Sequence, residues 1–301
     1  MKTAIIDLGT NTFNLLIVEG DQTLFKTKIA VKIGEGGITN NFIAEDPYRR
    51  GIAALKKHIE TIKHYKVERT LALATSAIRS ATNGAVFVKE VKKKLGLNIE
   101  VIDGNKEAEL IYLGVQQALD LGQENNLIMD IGGGSTEFII CNKNEIFWKH
   151  SFQLGASRLL EKFQPKDPIS CQDVLKLEEY LETSLNLLWE AMEKHPCNIL
   201  VGSSGSFDTL AELIAHRLHE PAILNGKTTH NFNLKDYFSL HHTLLKSNLK
   251  ERLNMQGMAP MRADMIVVAS VFIHYLLRKK EIAKMKLSTY ALKEGVLKTL
   301  R

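Results

Sequence analysis

Blocks of apolar residues separated by polar turns predict alternating strands and helices in the first part of the chain. Short apolar runs at residues 4–7 and 15–18 predict a β-hairpin around a polar, glycine-containing turn. The remaining elements of this part are predicted as a helix from residue 46, a strand at 67–73, a helix at 83–96, a strand at 99–102 and a helix at 104–115. Strands that alternate with helices favour an α/β fold with parallel strand pairing.

The second part of the chain repeats the opening pattern at an offset of 123 residues. Asp7 corresponds to Asp130 and Gly9 to Gly132, a hydroxyl residue follows each glycine by three positions, and apolar runs flank both turns. We interpret this match as an internal duplication at the scale of a domain, with one phosphate-facing hairpin in each half. The polar stretch at residues 122–126 marks the predicted boundary.

The rest of the second part is predicted to be mostly helical. Its elements are a long amphipathic helix at 172–193, a strand at 199–201, a helix at 207–218, helices at 235–246 and 262–278, a strand at 286–288 and a last helix from residue 292. We therefore expect an N-terminal domain at 1–122 and a C-terminal domain at 123–289. The helix at about 290–301 is expected to pack back on the first domain.

The composition is that of a soluble globular protein, with 45% hydrophobic and 24% charged residues. This excludes a mainly disordered chain, and three well-separated cysteines exclude a disulfide scaffold. The longest nearly uninterrupted apolar run, at residues 265–277, is too short to span a bilayer, and the first residues lack the apolar stretch of a signal peptide. We expect a cytoplasmic protein without membrane partners.

The charge distribution bears on the choice of partner. The net charge of +5 is compatible with an anionic substrate. Basic residues are scattered apart from the run at 92–94, which is typical of a solvated helix face. Aromatic residues make up only 7% and do not alternate with basic ones, so no nucleic-acid partner is expected.

Three consecutive glycines follow the strand that ends at Asp130. Gly132, Gly133 and Gly134 have no Cβ atoms, so their backbone amides can approach an anion closely, and Ser135 adds a hydroxyl donor. Asp130 would repel a phosphate, and we expect it to hold a cation or orient water. A phosphate-binding loop is favoured over a hairpin turn without a ligand.

The corresponding turn in the first half carries weaker evidence by itself. It consists of Gly9, Thr10, Asn11 and Thr12, which is also typical of an ordinary hairpin connection. Because this turn is the repeat partner of the glycine-rich loop, phosphate binding is favoured for it as well: two such loops across a cleft would clamp a phosphate chain from both sides. That arrangement suits phosphoryl transfer.

Other candidates remain open on the residues alone. Gly205 and Ser206 open a helix and are equally compatible with an anion site and a satisfied cap. Arg79 could grip a phosphate bidentately, although a surface arginine is favoured. Glu107, in a first helical turn, is typical of a surface carboxylate. The segment at 262–264 favours an ion pair between its arginine and aspartate.

Read in order, these segments resemble the Ppx/GppA family of exopolyphosphatases and guanosine pentaphosphatases. The resemblance extends over nearly the whole chain, and its most specific part is the run from Asp130 to Glu137. The segments that carry it lie at 7–12, 74–79, 104–108, 130–137, 262–264 and 288–297. It implies an α/β fold of two duplicated actin-like (ribonuclease H-like) domains with an interdomain cleft, in the short two-domain form.

The same resemblance implies a phosphoanhydride hydrolase. The expected reaction is magnesium-dependent removal of terminal phosphate from inorganic polyphosphate, or from guanosine pentaphosphate as the alternative. A kinase of the same superfamily and a non-catalytic polyphosphate or alarmone sensor are less favoured. Members of the family often form homodimers, and a homodimer is therefore one expected state.

The resemblance also assigns roles to single residues. Glu107 occupies the family's catalytic glutamate position, and Asp130 and Glu137 occupy positions that surround phosphate, water and magnesium. We expect magnesium near Asp130 and Asp7, and Arg79 against the bound chain. The sequence departs from the family at Lys32 and Lys293, where arginine is common. Lysine cannot form the bidentate fork, which weakens the expected phosphate contact at both positions.

Overall fold

The computed structural model describes residues 1–300 and places the first part of the chain on a five-stranded sheet. The elements of this part are β1 (Lys2–Leu8), β2 (Thr12–Glu19), β3 (Gln22–Ala30), α1 (Glu45–His64), β4 (Arg69–Ala74), α2 (Ser76–Ser80), α3 (Gly84–Leu95), β5 (Glu100–Val101) and α4 (Gly104–Ala118). Strands β1, β2 and β3 form an antiparallel meander, and β4 and β5 extend the sheet in parallel beside β1. The spatial order is β3-β2-β1-β4-β5.

The second part builds a six-stranded sheet. Its elements are β6 (Asn126–Ile131), β7 (Thr136–Cys141), β8 (Ile146–Phe152), α5 (Ala156–Phe163), α6 (Cys171–Ser184), α7 (Asn186–Lys194), β9 (Ile199–Ser203), α8 (Ser204–Arg217), β10 (Thr229–Phe232), α9 (Leu234–Lys246), α10 (Leu249–Leu253), α11 (Ile266–Lys279), β11 (Lys284–Ser288) and α12 (Leu292–Lys298). Short 3₁₀ turns lie at Pro221–Leu224 and Pro260–Arg262. The strand order is β8-β7-β6-β9-β11-β10.

The two sheets share one topology. In each, an antiparallel meander of three strands is extended in parallel beside its first strand, and β10 is an additional antiparallel edge strand in the second sheet. The hairpin register is the same at the predicted offset, since Asp7 pairs with Asn14 and Asp130 pairs with Glu137. The predicted fold, two duplicated actin-like α/β domains, is therefore confirmed.

Three apolar clusters stabilise this arrangement. One lies in each half, and the third lies between the sheets, where α4 and α12 contact strands of both. The two helices cross closely because glycines lie at the crossing: a Cβ on Gly114 would fall 1.9 Å from the carbonyl of Ala291, and one on Gly295 would fall 1.7 Å from that of Leu110. Helix α12 thus packs on an element of the first half.

Two predicted helices differ from those observed. The helix predicted at 172–193 is interrupted at Leu185, where the indole nitrogen of Trp189 donates to the carbonyl of Glu182 and takes the acceptor that a continuous helix would use. The helix predicted from Arg262 begins only at Ile266, because residues 260–262 form a 3₁₀ turn. Among residues 1–300, no helix has the length and apolar character needed to cross a bilayer.

Candidate phosphate-binding site

The two predicted loops face each other across the cleft and are in contact. A Cβ on Gly133 would lie 2.7 Å from the side-chain nitrogen of Asn11, and a Cβ on Gly134 would lie 2.8 Å from the hydroxyl of Thr10 and 2.7 Å from that of Ser76. Glycine is required here because the first loop leaves no room for a side chain. The triple glycine therefore has a packing role that the sequence analysis did not include.

Each loop is closed by the same backbone hydrogen bond. The amide of Gly9 donates to the carbonyl of Thr12 at 3.1 Å, and the amide of Gly132 donates to that of Ser135 at 3.0 Å. These two glycines were predicted to bind phosphate, but their amides are committed to the turns. The amides of Thr10, Asn11, Gly133, Gly134 and Ser135 have no protein acceptor within the part of the chain that the structure describes. These five lie in the cleft and can receive an anion.

The Asn11 side chain joins the two halves. Its oxygen accepts from the hydroxyl of Ser157 at 2.8 Å, and its nitrogen contacts the sulfur of Met265 at 3.2 Å. Arg158, which the sequence analysis missed, makes a second bridge by donating to the carbonyls of Gly134 at 3.0 Å and Ile38 at 2.5 Å. The loops are thus held face to face, and the amide side chain of Asn11 is already used.

A row of side chains crosses the meander of each sheet. Directly opposed residues on antiparallel strands point to the same face. In the first sheet the row is Asp7, Asn14 and Lys28; in the second it is Asp130, Glu137 and Ser151. Neighbours within each row are hydrogen-bonded, Asn14 to Asp7 at 2.9 Å and Ser151 to Glu137 at 2.6 Å. The duplicated rows differ in charge, because the second has a carboxylate where the first has an amide.

Glu107 reaches the second row from the start of α4. Asp103 caps this helix by accepting from the amides of Asn105 and Lys106. Gly104 allows the helix start to approach β8, since a Cβ there would lie 2.3 Å from that of Ser151. The glycine of this segment therefore sets the close packing that brings Glu107 beside Glu137.

Burial perturbs the carboxylates of this cluster. Burial and the nearby charge of Glu137 raise the pKa of Glu107, against the opposing effect of Arg79. Burial, with the charge of Asp130, raises the pKa of Glu137 to about 7. Burial also raises the pKa of Asp7 and of Asp130. A carboxyl group acts most efficiently as a general base when its pKa lies near the pH at which the protein works.

Arg79 was predicted to bind the phosphate chain, but it is not among the residues that line the cleft. Its guanidinium donates to Glu107 Oε2 at 2.7 Å and to the carbonyl of Ile102 at 3.0 Å. It holds the glutamate side chain in place. In this structure the guanidinium contacts the candidate base, and the phosphate contact of Arg79 stays a prediction.

The start of α8 lines the cleft through Ser204 and Gly205. Neither serine at this helix start forms a side-chain cap: Ser203 donates to Asp130, and Ser204 donates to the carbonyl of Ile131 at 3.2 Å. Ser206, predicted to bind phosphate, is fully buried outside the cleft lining and accepts from Arg262 at 3.3 Å. Gly205 therefore lies in the cleft, whereas Ser206 accepts a hydrogen bond from Arg262 and does not face the cleft.

Two cations that the residues alone did not favour lie in the cleft. Arg262 stacks over Gly205, and the expected ion pair with Asp264 is wrong, because Asp264 pairs with Lys32 at 2.7 Å. Burial lowers the pKa of Arg262. Burial alone would also lower the pKa of Lys293. Its pKa is nevertheless raised, because the negative charges of four nearby carboxylates have the larger effect: Glu294, Asp7, Asp130 and Asp208.

The residues described above enclose a cleft of about 340 Å³. Within residues 1–300, no group of three or more His, Cys, Asp or Glu side chains is arranged to hold a metal ion. Asp7 and Asp130 lie at equivalent positions on its floor, where each feels the charge of Lys293. They suit Mg²⁺ in the mode in which one or two carboxylates share the ion with water and substrate phosphates.

Comparison with known proteins places this geometry in context. The sequence matches the Ppx/GppA phosphatase family over residues 16–300. A bifunctional 3-dehydroquinate synthase/phosphatase of Fusobacterium nucleatum is 32% identical over 292 residues, which are 91% of this chain and 43% of that protein. The chain therefore spans less than half the length of this curated relative.

Two solved structures are similar over the whole length of the chain. An exopolyphosphatase from Cytophaga hutchinsonii is 42% identical with a TM-score of 0.97, covering 100% of this chain and 97% of that one. The Aquifex aeolicus member of the Ppx/GppA family is 26% identical with a TM-score of 0.80, covering 100% and 97%.

Proposed function

The chain belongs to the Ppx/GppA phosphatase family, and we propose that it releases the terminal phosphate of inorganic polyphosphate by hydrolysis. The observation that carries this proposal is the pair of interlocked loops with unpaired amides, which lie beside the buried carboxylates Glu107 and Glu137. The similarity to an exopolyphosphatase over the full chain supports the choice of substrate.

In this proposal the two loops bind the terminal phosphate from opposite sides. The amides of Thr10 and Asn11 donate from one side and those of Gly133, Gly134 and Ser135 from the other. Phosphoryl transfer spreads charge over the peripheral oxygens, so fixed donors in a buried cleft stabilise the transition state. Arg262 and Lys293 add positive charge to the same cleft.

Magnesium is the proposed cofactor, held by Asp7 and Asp130 together with phosphate oxygens. When bound, it would neutralise charge on the phosphates and orient them. Because burial raises the pKa of both carboxylates in the protein alone, a cation between them would restore their ionised forms.

Glu107 is the proposed general base. Its carboxylate is buried, lines the cleft and is fixed by Arg79, so it is positioned to accept a proton from a water molecule attacking the terminal phosphorus. Glu137 is the second acid of this cluster. We assign it to orienting the same water, with Ser151 fixing its carboxylate.

Substituting Glu107→Gln tests the assignment of the base. We expect phosphate release from polyphosphate to fall by at least about 100-fold, the lower end of general-base contributions, while polyphosphate binding is retained. Glu109→Gln is the matched control, because Glu109 lies on the same helix, is 41% exposed and, within residues 1–300, forms its ion pairs only with Lys106 and Lys149. Turnover of Glu107→Gln within a few-fold of the unsubstituted protein would remove Glu107 from this role.

The substrate is decided by one parallel assay. Phosphate release is measured with short polyphosphate, long polyphosphate and guanosine pentaphosphate in the presence of Mg²⁺. A preference for guanosine pentaphosphate would favour the alternative reaction of the family. Tight binding without turnover across divalent metals would indicate a sensor. The domain boundary at 122–126, the homodimer and the cytoplasmic location stay predictions.

A further inference from the structure

A second cavity of about 300 Å³, which the proposed reaction does not use, adjoins the cleft. The two cavities share a wall that includes Lys26, Lys28 and Arg262. Beyond this wall the second cavity is bounded by Lys227 and His230. A substrate whose terminal phosphate lay between the loops would therefore extend toward a basic surface.

The position of Lys28 follows from the register of the first sheet. Lys28 lies opposite Asn14, and Asn14 lies opposite Asp7, so the three share one face of the sheet. Two strand spacings place Lys28 about 10 Å from the strand that carries Asp7. Lys26 points to the same face two residues earlier. Both lysines are exposed, and neither has an ion-pair partner within residues 1–300.

The lining of the second cavity fits phosphate better than a nucleoside. Four cationic side chains line it, those of Lys26, Lys28, Lys227 and Arg262, against two acidic ones. The only ring in the lining is the imidazole of His230. Purine sites commonly provide an aromatic face for stacking, whereas phosphate groups are bound by lysine and arginine.

Asp208 is one of the two acids, and its surroundings also point to an anion. Its Oδ1 atom is buried and accepts no hydrogen bond within the described residues. The charges that act on this carboxylate are those of Arg262, Lys28, Lys26 and Lys293. The Asp208 carboxylate lies among these four cations and partly neutralises a surface that would otherwise bind a larger anion more tightly.

We propose that the second cavity binds the phosphates that follow the terminal one, with Lys26 and Lys28 as chain-binding residues, and that it selects an inorganic phosphate chain over a nucleoside. This inference rests on the proposed removal of terminal phosphates. Lys26 and Lys28 lie on β3, on the wall that the cleft shares with the second cavity, and belong neither to the two loops nor to the carboxylate cluster. We therefore assign them to binding the chain and not to the chemical step. Asp208 opposes this binding through its negative charge.

The test compares the double variant Lys26→Gln and Lys28→Gln with a charge-matched control, Lys56→Gln and Lys57→Gln. The control lysines are exposed on α1 and line neither cavity. For long polyphosphate we expect KM of the first variant to rise about fivefold with kcat unchanged, because two solvent-exposed ionic contacts contribute about 1 kcal/mol together. Tripolyphosphate and guanosine pentaphosphate should be affected much less.

Asp208→Asn provides a second measurement with the opposite sign. Removing the negative charge should lower KM for long polyphosphate several-fold. Equal effects of the lysine substitutions on all three substrates, or none on the long chain, would overturn the inference. If the unsubstituted protein releases no phosphate from any substrate, the proposed reaction fails; calorimetric binding of long polyphosphate to the same variants then still tests the cavity.

Discussion

Arg79→Met distinguishes an arginine that acts through Glu107 from one that binds the phosphate chain. In the structure its guanidinium donates to Glu107 Oε2 at 2.7 Å, and the arginine side chain is 23% exposed. Methionine keeps much of the aliphatic volume and removes the charge. The substitution therefore changes the electrostatic environment of the candidate base with limited disturbance of the packing around it.

The expected magnitude follows from this single contact. A hydrogen bond to a charged group contributes about 1.5–3 kcal/mol. Losing Arg79 should therefore raise the pKa of Glu107 further, and 1.5–3 kcal/mol corresponds to about a 10- to 100-fold change in the ionised fraction, because 1.36 kcal/mol corresponds to a factor of ten. The active form is the carboxylate, so kcat should fall by about 10- to 100-fold at a pH below the new pKa. It should recover as the pH is raised above it.

The assay is the pH dependence of kcat and KM for polyphosphate hydrolysis by the unsubstituted protein and by Arg79→Met. Lys106→Met serves as the control, because this lysine lies on α4, is 45% exposed and pairs through its ammonium with Glu109, which does not line the cleft. The expected result is an acidic limb displaced to higher pH with little change in KM. A uniform loss at every pH together with a raised KM would refute the reasoning, because it would indicate that Arg79 binds the phosphate chain directly.

Two further predictions concern stability. The pKa of Glu137 is raised from 4.5 to about 7 in the folded protein, so ionising this carboxyl destabilises the fold as the pH rises. At pH 8 the variant Glu137→Gln should therefore be more stable than the unsubstituted protein by about 3 kcal/mol. The gain should vanish below about pH 4.5 in urea unfolding, and an equal gain at both pH values would contradict the explanation. Gly295→Ala should lower the stability by about 1–3 kcal/mol through overpacking on Leu110, although alanine favours helix by about 1 kcal/mol. An unchanged or higher Tm would count against that packing.

The loops could be predicted from the sequence because their signal is local. The glycines, the hydroxyl residues and the flanking apolar runs all lie within a few positions of Asp7 or Asp130, and the repeat doubles the evidence. The residue-by-residue correspondence of the two hairpins was thereby predicted, and the observed strand pairing follows the same offset. What local sequence did not contain was the contact between the loops, which requires Gly133 and Gly134.

The remaining site residues could not be found locally because each reaches its place through a distant contact. Arg262 enters the cleft because a 3₁₀ turn precedes α11. Lys293 enters because α12 crosses α4. Glu107 looks like a surface residue until Gly104 packs on Ser151, and only the family resemblance selected it beforehand.

Edge strands β3 and β8 were missed for a different reason. Their residues are mostly half-buried or exposed, so no apolar alternation distinguishes them from loops. The omission mattered, since β3 carries the lysines of the second cavity and β8 carries Ser151. Polar residues on edge strands are common because they discourage pairing with another chain.

The crossing of α4 and α12 bears on how the protein is made during translation. Helix α4 emerges from the ribosome long before residues 292–298. Its apolar face therefore stays uncovered while most of the second half of the chain is being synthesised. Domains generally fold as units, starting with the N-terminal one. Here the first half receives its last covering helix, and the cleft receives Lys293, only after the strands and helices of the second half have been synthesised. The nascent chain should therefore remain inactive until that helix docks.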